Sequence, residues 1–300
     1  MYDILIIGSG PAGLSAAIYG KRALMSLAVI EKDFMGTGQI AVTERVENYP
    51  GLYGINGYDL GEKFRNHAET LGAEFLNAEV KEIRKDGNSW TVNFTDGNST
   101  SAKAIIYAAG ASYRHLGVPG DGKQRISYCA VCDAFFYKDK TVAVVGGGDT
   151  ALGDALYLSK LAKTVYLIHR RDEFRANKSL QKQVSETENI IPVMNAVLSE
   201  VTGEANADGI IYVQNGKTKN LSLDGIFVAI GSVPNTEPLK GICKLDNTGY
   251  ICADEDCVTS EPGIFAAGDV RTTPLRQVIT AAADGANAVN SAEKYISQLS

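Results

Sequence analysis

The chain contains the same glycine-rich pattern twice, and this repeat limits the folds that it can adopt. An apolar run leads into a Gly-x-Gly-x-x-Gly loop at Gly8, and another leads into a Gly-x-Gly-x-x-Ala loop at Gly146, 138 positions later. An alanine-rich helical pattern follows each loop. Strand, loop and helix in this order form a dinucleotide-binding turn, in which N–H groups at the start of the helix hold a pyrophosphate. The repeat therefore predicts an α/β chain with two Rossmann-like three-layer domains that bind dinucleotides.

The strands that follow the two loops end in residues of opposite charge. Glu31 ends this strand in the first repeat, and the same offset brings His169 in the second, followed by Arg170, Arg171 and Arg175. A carboxylate suits a ribose with free hydroxyls and repels a 2′-phosphate, which arginines bind through paired hydrogen bonds. The first loop is therefore predicted to bind FAD and the second NADPH. The alternative is that the arginines form a solvated basic face, but their register against Glu31 favours a nucleotide site.

Length and composition restrict the class of protein. The 300 residues, 45% of them apolar, suffice for the cores of roughly two domains. The net charge of −6 and the absence of a basic stripe argue against nucleic acid as a partner. No basic leader precedes the first strand, and no apolar run reaches the roughly 18 residues of a membrane span. Five cysteines, an odd number, fit a reducing compartment, so we expect a cytoplasmic protein without a membrane partner.

The order of strands and helices suggests that one domain interrupts the other. Two stretches that contain glycine and proline, 110–122 and 231–238, break the alternation of strands and helices, and the second repeat lies between them. Beyond them, a strand-like run ends at Asp269 and a helix is predicted over 277–288. If this last part of the chain returns to the first domain, the second domain is an insertion.

A Cys-x-x-Cys motif at Cys129 and Cys132 lies just before the second loop. Such a pair can close a small disulfide, and its thiol pKa is often about 7 or below, which makes thiolate available near neutral pH. Asp133, the next residue, can supply or accept a proton. The sequence does not show which cysteine has which role. The alternative is half of a zinc site, but the remaining cysteines do not form the second Cys-x-x-Cys that such a site needs.

Over essentially the whole chain, these motifs resemble those of the bacterial low-molecular-weight thioredoxin reductases. The motifs that carry the resemblance are Gly8-x-Gly10-Pro11-Ala12-Gly13, Glu47-Asn48-Tyr49-Pro50-Gly51, Cys129-Ala130-Val131-Cys132-Asp133, His169-Arg170-Arg171, Gly268-Asp269 and Arg276-Gln277. The resemblance implies a homodimeric flavoprotein. It also implies an FAD domain made of residues 1–113 and 243–300, and an inserted NADPH domain, residues 114–242, that carries the cysteines.

The resemblance also implies an activity. Electrons pass from NADPH through FAD and the Cys129–Cys132 disulfide to oxidised thioredoxin, and the domains rotate between the two half-reactions. Cys132 faces the flavin, Cys129 attacks the thioredoxin disulfide, and Asp133 is the acid and base. No metal is expected.

The resemblance assigns cofactor contacts to residues in both repeats. The expected FAD residues are Gly8, Gly10, Pro11, Ala12, Glu31, Lys32, Gly38, Gln39, Asn48, Val80, Ala109, Gly110, Asp269, Arg276, Gln277 and Val278. The expected NADPH residues are Gly146, Gly148, Asp149, Thr150, His169, Arg170, Arg171 and Arg175.

The chain departs from the family pattern at two places. Gly153-Asp154 stands where many members have two glutamates, which removes a side chain near the expected nicotinamide site. Met35-Gly36-Thr37-Gly38-Gln39 lacks the usual pair of adjacent glycines before the glutamine. The alternative function is therefore a related flavin thioredoxin reductase that uses ferredoxin or another donor, although the arginines after His169 argue for NADPH.

Other functions fit the sequence less well. A flavin-dependent ferredoxin–NADP reductase of similar fold would lack the cysteine pair, and the flavoprotein of peroxide-reducing systems would have an additional N-terminal redox domain. A catalytically silent dinucleotide sensor would need neither the cysteines nor two cofactor sites of opposite charge.

Overall fold

The computed structural model describes residues 1–33, 36–43 and 45–299, and these divide into two compact units. Unit 1 is formed by Met1–Ser112 together with Val233–Ser300, and unit 2 by Tyr113–Ser232. The middle of the chain is thus inserted into the unit that its two ends form.

Strands and helices alternate along the chain. The first part of the chain contains β1 (Tyr2–Ile7), α1 (Pro11–Arg22), β2 (Leu27–Glu31), α2 (Gly57–Thr70), β3 (Glu74–Asn77), β4 (Val80–Asp86), β5 (Ser89–Phe94), β6 (Ser99–Tyr107) and β7 (Ala111–Tyr113). The middle part contains β8 (Ile126–Ser127), α3 (Ala130–Asp133), β9 (Thr141–Gly146), α4 (Asp149–Ser159), β10 (Thr164–Ile168), α5 (Lys178–Ser185), β11 (Ile190–Val193), β12 (Ala196–Thr202), β13 (Gly209–Gln214), β14 (Lys217–Ser222), β15 (Gly225–Ala229) and β16 (Ser232–Pro234). The last part contains β17 (Ile264–Ala266) and α6 (Val278–Ser297). Short 3₁₀ helices occupy Gln39–Val42, Ala134–Tyr137, Glu237–Leu239 and Gly268–Val270.

A twisted sheet with the parallel order β3-β2-β1-β6 forms the centre of unit 1. Strand β6 lies inside the sheet, with β1 on one side; on its other side its first half pairs with antiparallel β5 and its second half with parallel β17. Strand β1 is buried on both of its faces. Ile4 and Ile6 lie on the face that α1 and α6 cover, and Leu5 and Ile7 lie in the core on the other face. Burial on both faces explains why this strand is a continuous apolar run.

Unit 2 is built on a parallel sheet of order β11-β10-β9-β15-β8. Helices α4 and α5 contribute to the core on one face, and the antiparallel strands β12, β13 and β14 contribute to the core on the other. The unit therefore has three layers, as unit 1 does.

The two repeats have the same strand register. In unit 1, Ile7 of β1 pairs with Ile30 of β2, and in unit 2, Val145 of β9 pairs with Ile168 of β10. Each residue of the second pair lies 138 positions after its counterpart in the first pair, which is also the offset between the glycine loops. The predicted α/β class, with two Rossmann-like domains and the second inserted in the first, is confirmed.

The compact units divide at a different position from the expected domain boundary. The expectation from the sequence places residues 233–242 in the inserted domain, whereas they belong to unit 1. Leu239 is fully buried there in a cluster with Trp90 and Ile251. Burying a leucine removes enough apolar surface from water to decide where such a short segment packs.

The last helix is longer than the sequence predicted. Helix α6 continues beyond residue 288 to Ser297, because Val289, Ala292 and Tyr295 extend its apolar stripe onto the core of unit 1. Helix α6 has 20 residues, but no helix in the described part of the chain is both long and apolar enough to cross a membrane.

Candidate active site

The first glycine loop forms a backbone cradle at the start of α1. Gly8 has φ of +101°, and a Cβ atom there would lie 2.5 Å from the carbonyl oxygen of Ala108. A Cβ on Gly13 would collide with the Gly8 carbonyl, so this glycine lets the helix pack onto the loop. Gly268 in turn lies against Ala12. Only glycines allow these close backbone approaches, which fit a loop that admits a pyrophosphate.

Glu31 is held beside this cradle. Ser9 donates its backbone N–H and its hydroxyl to one Glu31 carboxylate oxygen, at 3.0 and 2.8 Å, and the Asp33 N–H donates to the other at 3.1 Å. The pairing of β1 with β2 brings Glu31 level with the loop. Ser9 is fully buried, and sequence reasoning did not identify it.

A cavity of about 440 Å³ opens next to Glu31 and is lined by Lys32, Asn77, Glu79 and Thr95, among others. Val80, the first residue of β4, follows directly. The volume is in the range of small-molecule sites, and the position at the carboxyl ends of β2 and β3 is the place where such sheets bind nucleotides.

Several predicted FAD residues that are distant in sequence meet in unit 1. The Asn48 side-chain amide donates to Gln277 Oε1 at 2.8 Å, and Gln39 Nε2 donates to the Ala111 carbonyl, next to Gly110. Gln277 caps helix α6, whose first residue is Val278. Gly38 packs directly on Gly10 of the glycine loop.

Asp269 lies in the turn after β17, and burial raises its pKa to about 6, although nearby Arg276 opposes the shift. Arg276 Nε donates to the Asp269 carbonyl at 3.4 Å, and its guanidinium lies 4.2 Å from the centre of the Tyr250 ring. These contacts hold Arg276 and Asp269 together in unit 1.

A buried ion pair fixes the turn that contains Gly268 and Asp269. Arg271 donates to both carboxylate oxygens of Asp284, at 2.7 and 2.6 Å, and the Gly268 N–H donates to the same carboxylate at 2.9 Å. Asp284 lies on α6, so the pair fixes the turn to that helix. Sequence reasoning missed both charges, because nothing in their spacing shows that they meet.

The second glycine loop, in unit 2, is held by the segment that follows β10. The ring of His169 packs on Gly147 so closely that a Cβ at this glycine would collide with it, and the Arg175 N–H donates to the Gly147 carbonyl at 2.8 Å. Asp149, at the start of α4, accepts from the Asn177 N–H at 2.7 Å and from its amide at 3.1 Å. His169, Arg175 and Asp149, three of the predicted NADPH residues, therefore lie at one loop.

The positions of these residues relative to solvent differ. His169 is buried, and this burial lowers its pKa. Arg170, Arg171 and Arg175 are exposed, as is Thr150 near the start of α4. The arginine charges are thus accessible beside the loop, whereas the histidine supports it.

Cys129 and Cys132 form a disulfide, with their Cα atoms 5.3 Å apart. Cys129 caps the short helix α3, because its sulfur accepts the Cys132 N–H at 3.3 Å. Ala130 and Ala134 are buried in the core that α4 lines, which fixes the redox segment to the helix of the second loop. The disulfide and this loop therefore belong to the same unit.

Asp133 is held by a serine that sequence reasoning missed. Ser127, at the end of β8, donates its hydroxyl to Asp133 Oδ2 at 2.6 Å. Its oxygen accepts the Cys129 N–H at 3.1 Å. A serine two residues before the motif gives no signal in the sequence that would identify this contact.

The structure describes the surroundings of Gly153 and Asp154, the first of the two departures from the family pattern. Gly153 lies within α4, and a Cβ there would meet open space. Burial raises the pKa of the neighbouring Asp154 to about 6. Met35 lies outside the described residues.

Comparison with known proteins gives consistent matches along the whole chain. The family profile described as "Pyridine nucleotide-disulphide oxidoreductase" matches residues 2–285. A thioredoxin reductase of Bacillus subtilis (strain 168) is 40% identical over 305 residues, which cover 100% of this chain and 96% of the relative. One of Peptoclostridium acidaminophilum is 41% identical over 308 residues, with 99% and 97% covered. The crystal structure of thioredoxin reductase from Streptococcus pyogenes MGAS5005 matches with a TM-score of 0.93 and 39% identity, covering 99% of both chains.

Proposed function

This chain belongs to the pyridine nucleotide-disulphide oxidoreductase family, and we propose that it acts as a thioredoxin reductase that transfers two electrons from NADPH to oxidised thioredoxin. The observation that carries the proposal is the Cys129–Cys132 disulfide in the same unit as the second glycine loop. The similarity to the thioredoxin reductases of Bacillus subtilis and Streptococcus pyogenes supports it.

Unit 1 has the residues for an FAD site. The backbone cradle from Gly8 to Gly13 suits a pyrophosphate, and Glu31 at the end of β2 suits a ribose with free hydroxyls. Asn48 and Gln277, which meet at the start of α6, supply amide groups. When bound, FAD supplies the two-electron carrier between a nicotinamide and a disulfide.

Unit 2 has the residues for NADPH. The loop from Gly146 to Gly148 leads into α4, and exposed arginines lie beside it. Arg170, Arg171 and Arg175 would bind the 2′-phosphate that distinguishes NADPH from NADH. Buried His169 would keep the loop in place.

The cysteines and Asp133 would then reduce thioredoxin by thiol–disulfide exchange. The Cys129 thiolate attacks the thioredoxin disulfide and forms a mixed disulfide, and the second thioredoxin sulfur leaves with the bonding electrons and takes the Asp133 proton. Cys132 then gives its proton to the Asp133 carboxylate and attacks Cys129. This step re-forms the Cys129–Cys132 disulfide and releases the first thioredoxin sulfur as a thiolate.

Apolar side chains beside the disulfide suit a protein substrate. Val131, between the cysteines, is 47% exposed, and Phe135, two residues after Asp133, is 59% exposed. Phe136 is exposed as well. Exposed apolar groups around a reactive centre are typical of protein-binding surfaces.

The proposed cycle requires a motion. The disulfide and the NADPH loop lie in unit 2, and both must reach one flavin in unit 1. A rotation of the units about residues 110–122 and 231–238 would present them alternately. A covalent crosslink between the units should therefore stop turnover, and full disulfide turnover in crosslinked protein would refute the rotation.

The proposed function is tested by an anaerobic titration. NADPH is added to the yellow protein while flavin absorbance is followed, and oxidised thioredoxin is then added. We expect bleaching and then recovery, and recovery should be lost in the C129S and C132S variants. If NADPH leaves the flavin oxidised while a chemical reductant supports thioredoxin reduction, the donor is a different molecule, such as ferredoxin. Purified protein without flavin would favour a silent dinucleotide-binding protein.

A further inference from the structure

Gln181 on helix α5 holds the chain on both sides of Arg175. Its side-chain amide donates one hydrogen to the Ala176 carbonyl at 2.6 Å and the other to the Phe174 carbonyl at 3.3 Å. Because both partners are carbonyl oxygens, only the nitrogen end of the amide, with its two hydrogens, can face them. One side chain therefore fixes the backbone before and after Arg175.

Arg175 is also bonded to the second glycine loop. Its N–H donates to the Gly147 carbonyl at 2.8 Å. The ring of Phe174 lies 5.4 Å, measured between ring centres, from the ring of His169, which packs on the same loop. Arg175 is nevertheless exposed. The backbone of this residue is thus fixed at the loop, while its side chain remains accessible to a ligand.

Helix α5, which carries Gln181, is itself fixed to the helix that follows the second loop. Asn177 caps α5, because its side-chain oxygen accepts the Leu180 N–H at 3.0 Å. The N–H and the side-chain amide of Asn177 both donate to Asp149, the first residue of α4. Val184 of α5 is buried in the core that α4 lines. These contacts give Gln181 a defined position relative to the second loop.

We infer that Gln181 is a positioning residue that sets the preference for NADPH over NADH by fixing Arg175 beside the second loop. The inference rests on the proposed function, because it presupposes that Arg175 binds the 2′-phosphate of NADPH. The paired hydrogen bonds between a guanidinium and a phosphate require a defined geometry. An arginine whose backbone is already ordered loses less conformational entropy when it forms them. In this role Gln181 does not contact the nucleotide and acts through Arg175.

The alternative is that Gln181 stabilises the fold without any effect on specificity. The two roles predict different losses. Misplacement of Arg175 weakens the binding of ligands that have a 2′-phosphate, whereas general loosening of the segment weakens the binding of NADPH and NADH alike.

The experiment compares ligands with and without a 2′-phosphate. Binding of adenosine 2′,5′-bisphosphate to the holoenzyme is measured by calorimetry, and the KM is measured for NADPH and for NADH. Q181M retains the length of the side chain and removes both donors. We expect it to weaken binding of the bisphosphate by about 3- to 10-fold, as for the loss of hydrogen bonds. The KM for NADPH should rise by a similar factor, and the KM for NADH should stay nearly unchanged.

Further variants show whether the effect passes through Arg175. R175A should weaken binding of the bisphosphate by more than about tenfold, as for the loss of hydrogen bonds to a charged group, and Q181M should cause no further loss in the R175A background. Q181L repeats the test with a second apolar side chain of high helix propensity, in case Q181M does not fold.

Q183M is the matched control. Gln183 lies on the same helix, and its amide bonds the carbonyl and the hydroxyl of Ser179 within that helix, both at 3.4 Å. This variant removes the same group and should remain within about twofold of the wild-type affinity, as is usual for surface substitutions.

Each failure has a distinct meaning. Wild-type affinity of Q181M for the bisphosphate, with weak binding by R175A, overturns the inference and leaves the proposed NADPH site intact. Equal losses with NADPH and NADH in Q181M, or a further loss of the same size in the R175A background, also overturn it, because Gln181 then acts independently of Arg175. Wild-type affinity of R175A refutes the proposed role of Arg175 and the inference with it.

Discussion

At the scale of single residues, Asp154 makes the stability of the protein depend on pH. Burial raises its pKa to about 6, above the 3.8 of an unfolded aspartate, so folding favours the neutral carboxyl. The resulting stabilisation is complete below about pH 4 and is lost as the pH rises through about 6.

We therefore expect D154N to increase the free energy of unfolding by about 1 to 3 kcal/mol above pH 7, and progressively less as the pH falls towards 4. Urea unfolding of both proteins at several pH values measures the difference. An increase of the same size at every pH would show that ionisation of Asp154 is not its cause.

Phe135 lies exposed beside the disulfide, where a protein substrate could contact it. If it contacts thioredoxin, F135A should raise the KM for thioredoxin by about 5- to 20-fold, the loss expected from an apolar anchor. The rate with a small aromatic disulfide should stay unchanged, because a small molecule does not need this surface. V197A, at an exposed valine on β12, is the matched control. Equal losses with both acceptors would contradict a docking role.

At the scale of elements, the ion pair between Arg271 and Asp284 joins helix α6 to the turn that contains Asp269. Removing one partner of a buried pair leaves an uncompensated charge, so we expect D284A to destabilise the protein by about 3 to 5 kcal/mol. The variant should also retain less flavin per chain, because the turn loses its support.

Urea unfolding and the flavin-to-protein absorbance ratio measure both effects. The half-buried surface pair of Asp3 and Lys103 provides the control, and K103A should cost less than about 1 kcal/mol. If D284A were no more destabilising than K103A, the turn would not depend on this pair.

The segment after β10 should determine nucleotide preference. Because Arg170 and Arg171 are exposed beside the second loop, we expect R170A/R171A to raise the KM for NADPH by more than about tenfold and to leave the KM for NADH nearly unchanged. Steady-state kinetics with both nucleotides test this, and K182A on α5 is the control for loss of an exposed charge. Parallel losses with NADPH and NADH would contradict a phosphate site.

The sequence predicted the elements well because their signals are local. The two glycine loops, and the pairing of β1 with β2 and of β9 with β10, follow from patterns within one strand-loop-helix-strand unit. The contacts of Ser9, Ser127 and Asp284 could not be predicted, because each partner is chosen by tertiary packing. The end of α6 was missed for the same reason, since its last turns are stabilised by contacts with the core.

At the scale of the whole molecule, unit 2 has its own sheet and its own core. We expect the fragment Tyr113–Ser232 to unfold cooperatively and to bind NADPH without unit 1. It should not pass electrons from NADPH to its disulfide, because the proposed flavin site is in unit 1. Calorimetry and a thiol assay after addition of NADPH test both parts. Disulfide reduction by NADPH in the fragment alone would show that the flavin unit is dispensable.

The chain enters and leaves unit 2 at neighbouring points. Strands β7 and β16 pair there, with the Asn235 N–H bonded to the Gly110 carbonyl at 3.0 Å and the Arg114 N–H to the Gly231 carbonyl at 3.0 Å. In evolutionary terms, such a junction lets a host gene accept or exchange a guest segment without separating the host's own ends. Since the cysteines and the second loop are in the same inserted segment, one recombination event would exchange both of them together and leave the Gly8 cradle unaltered.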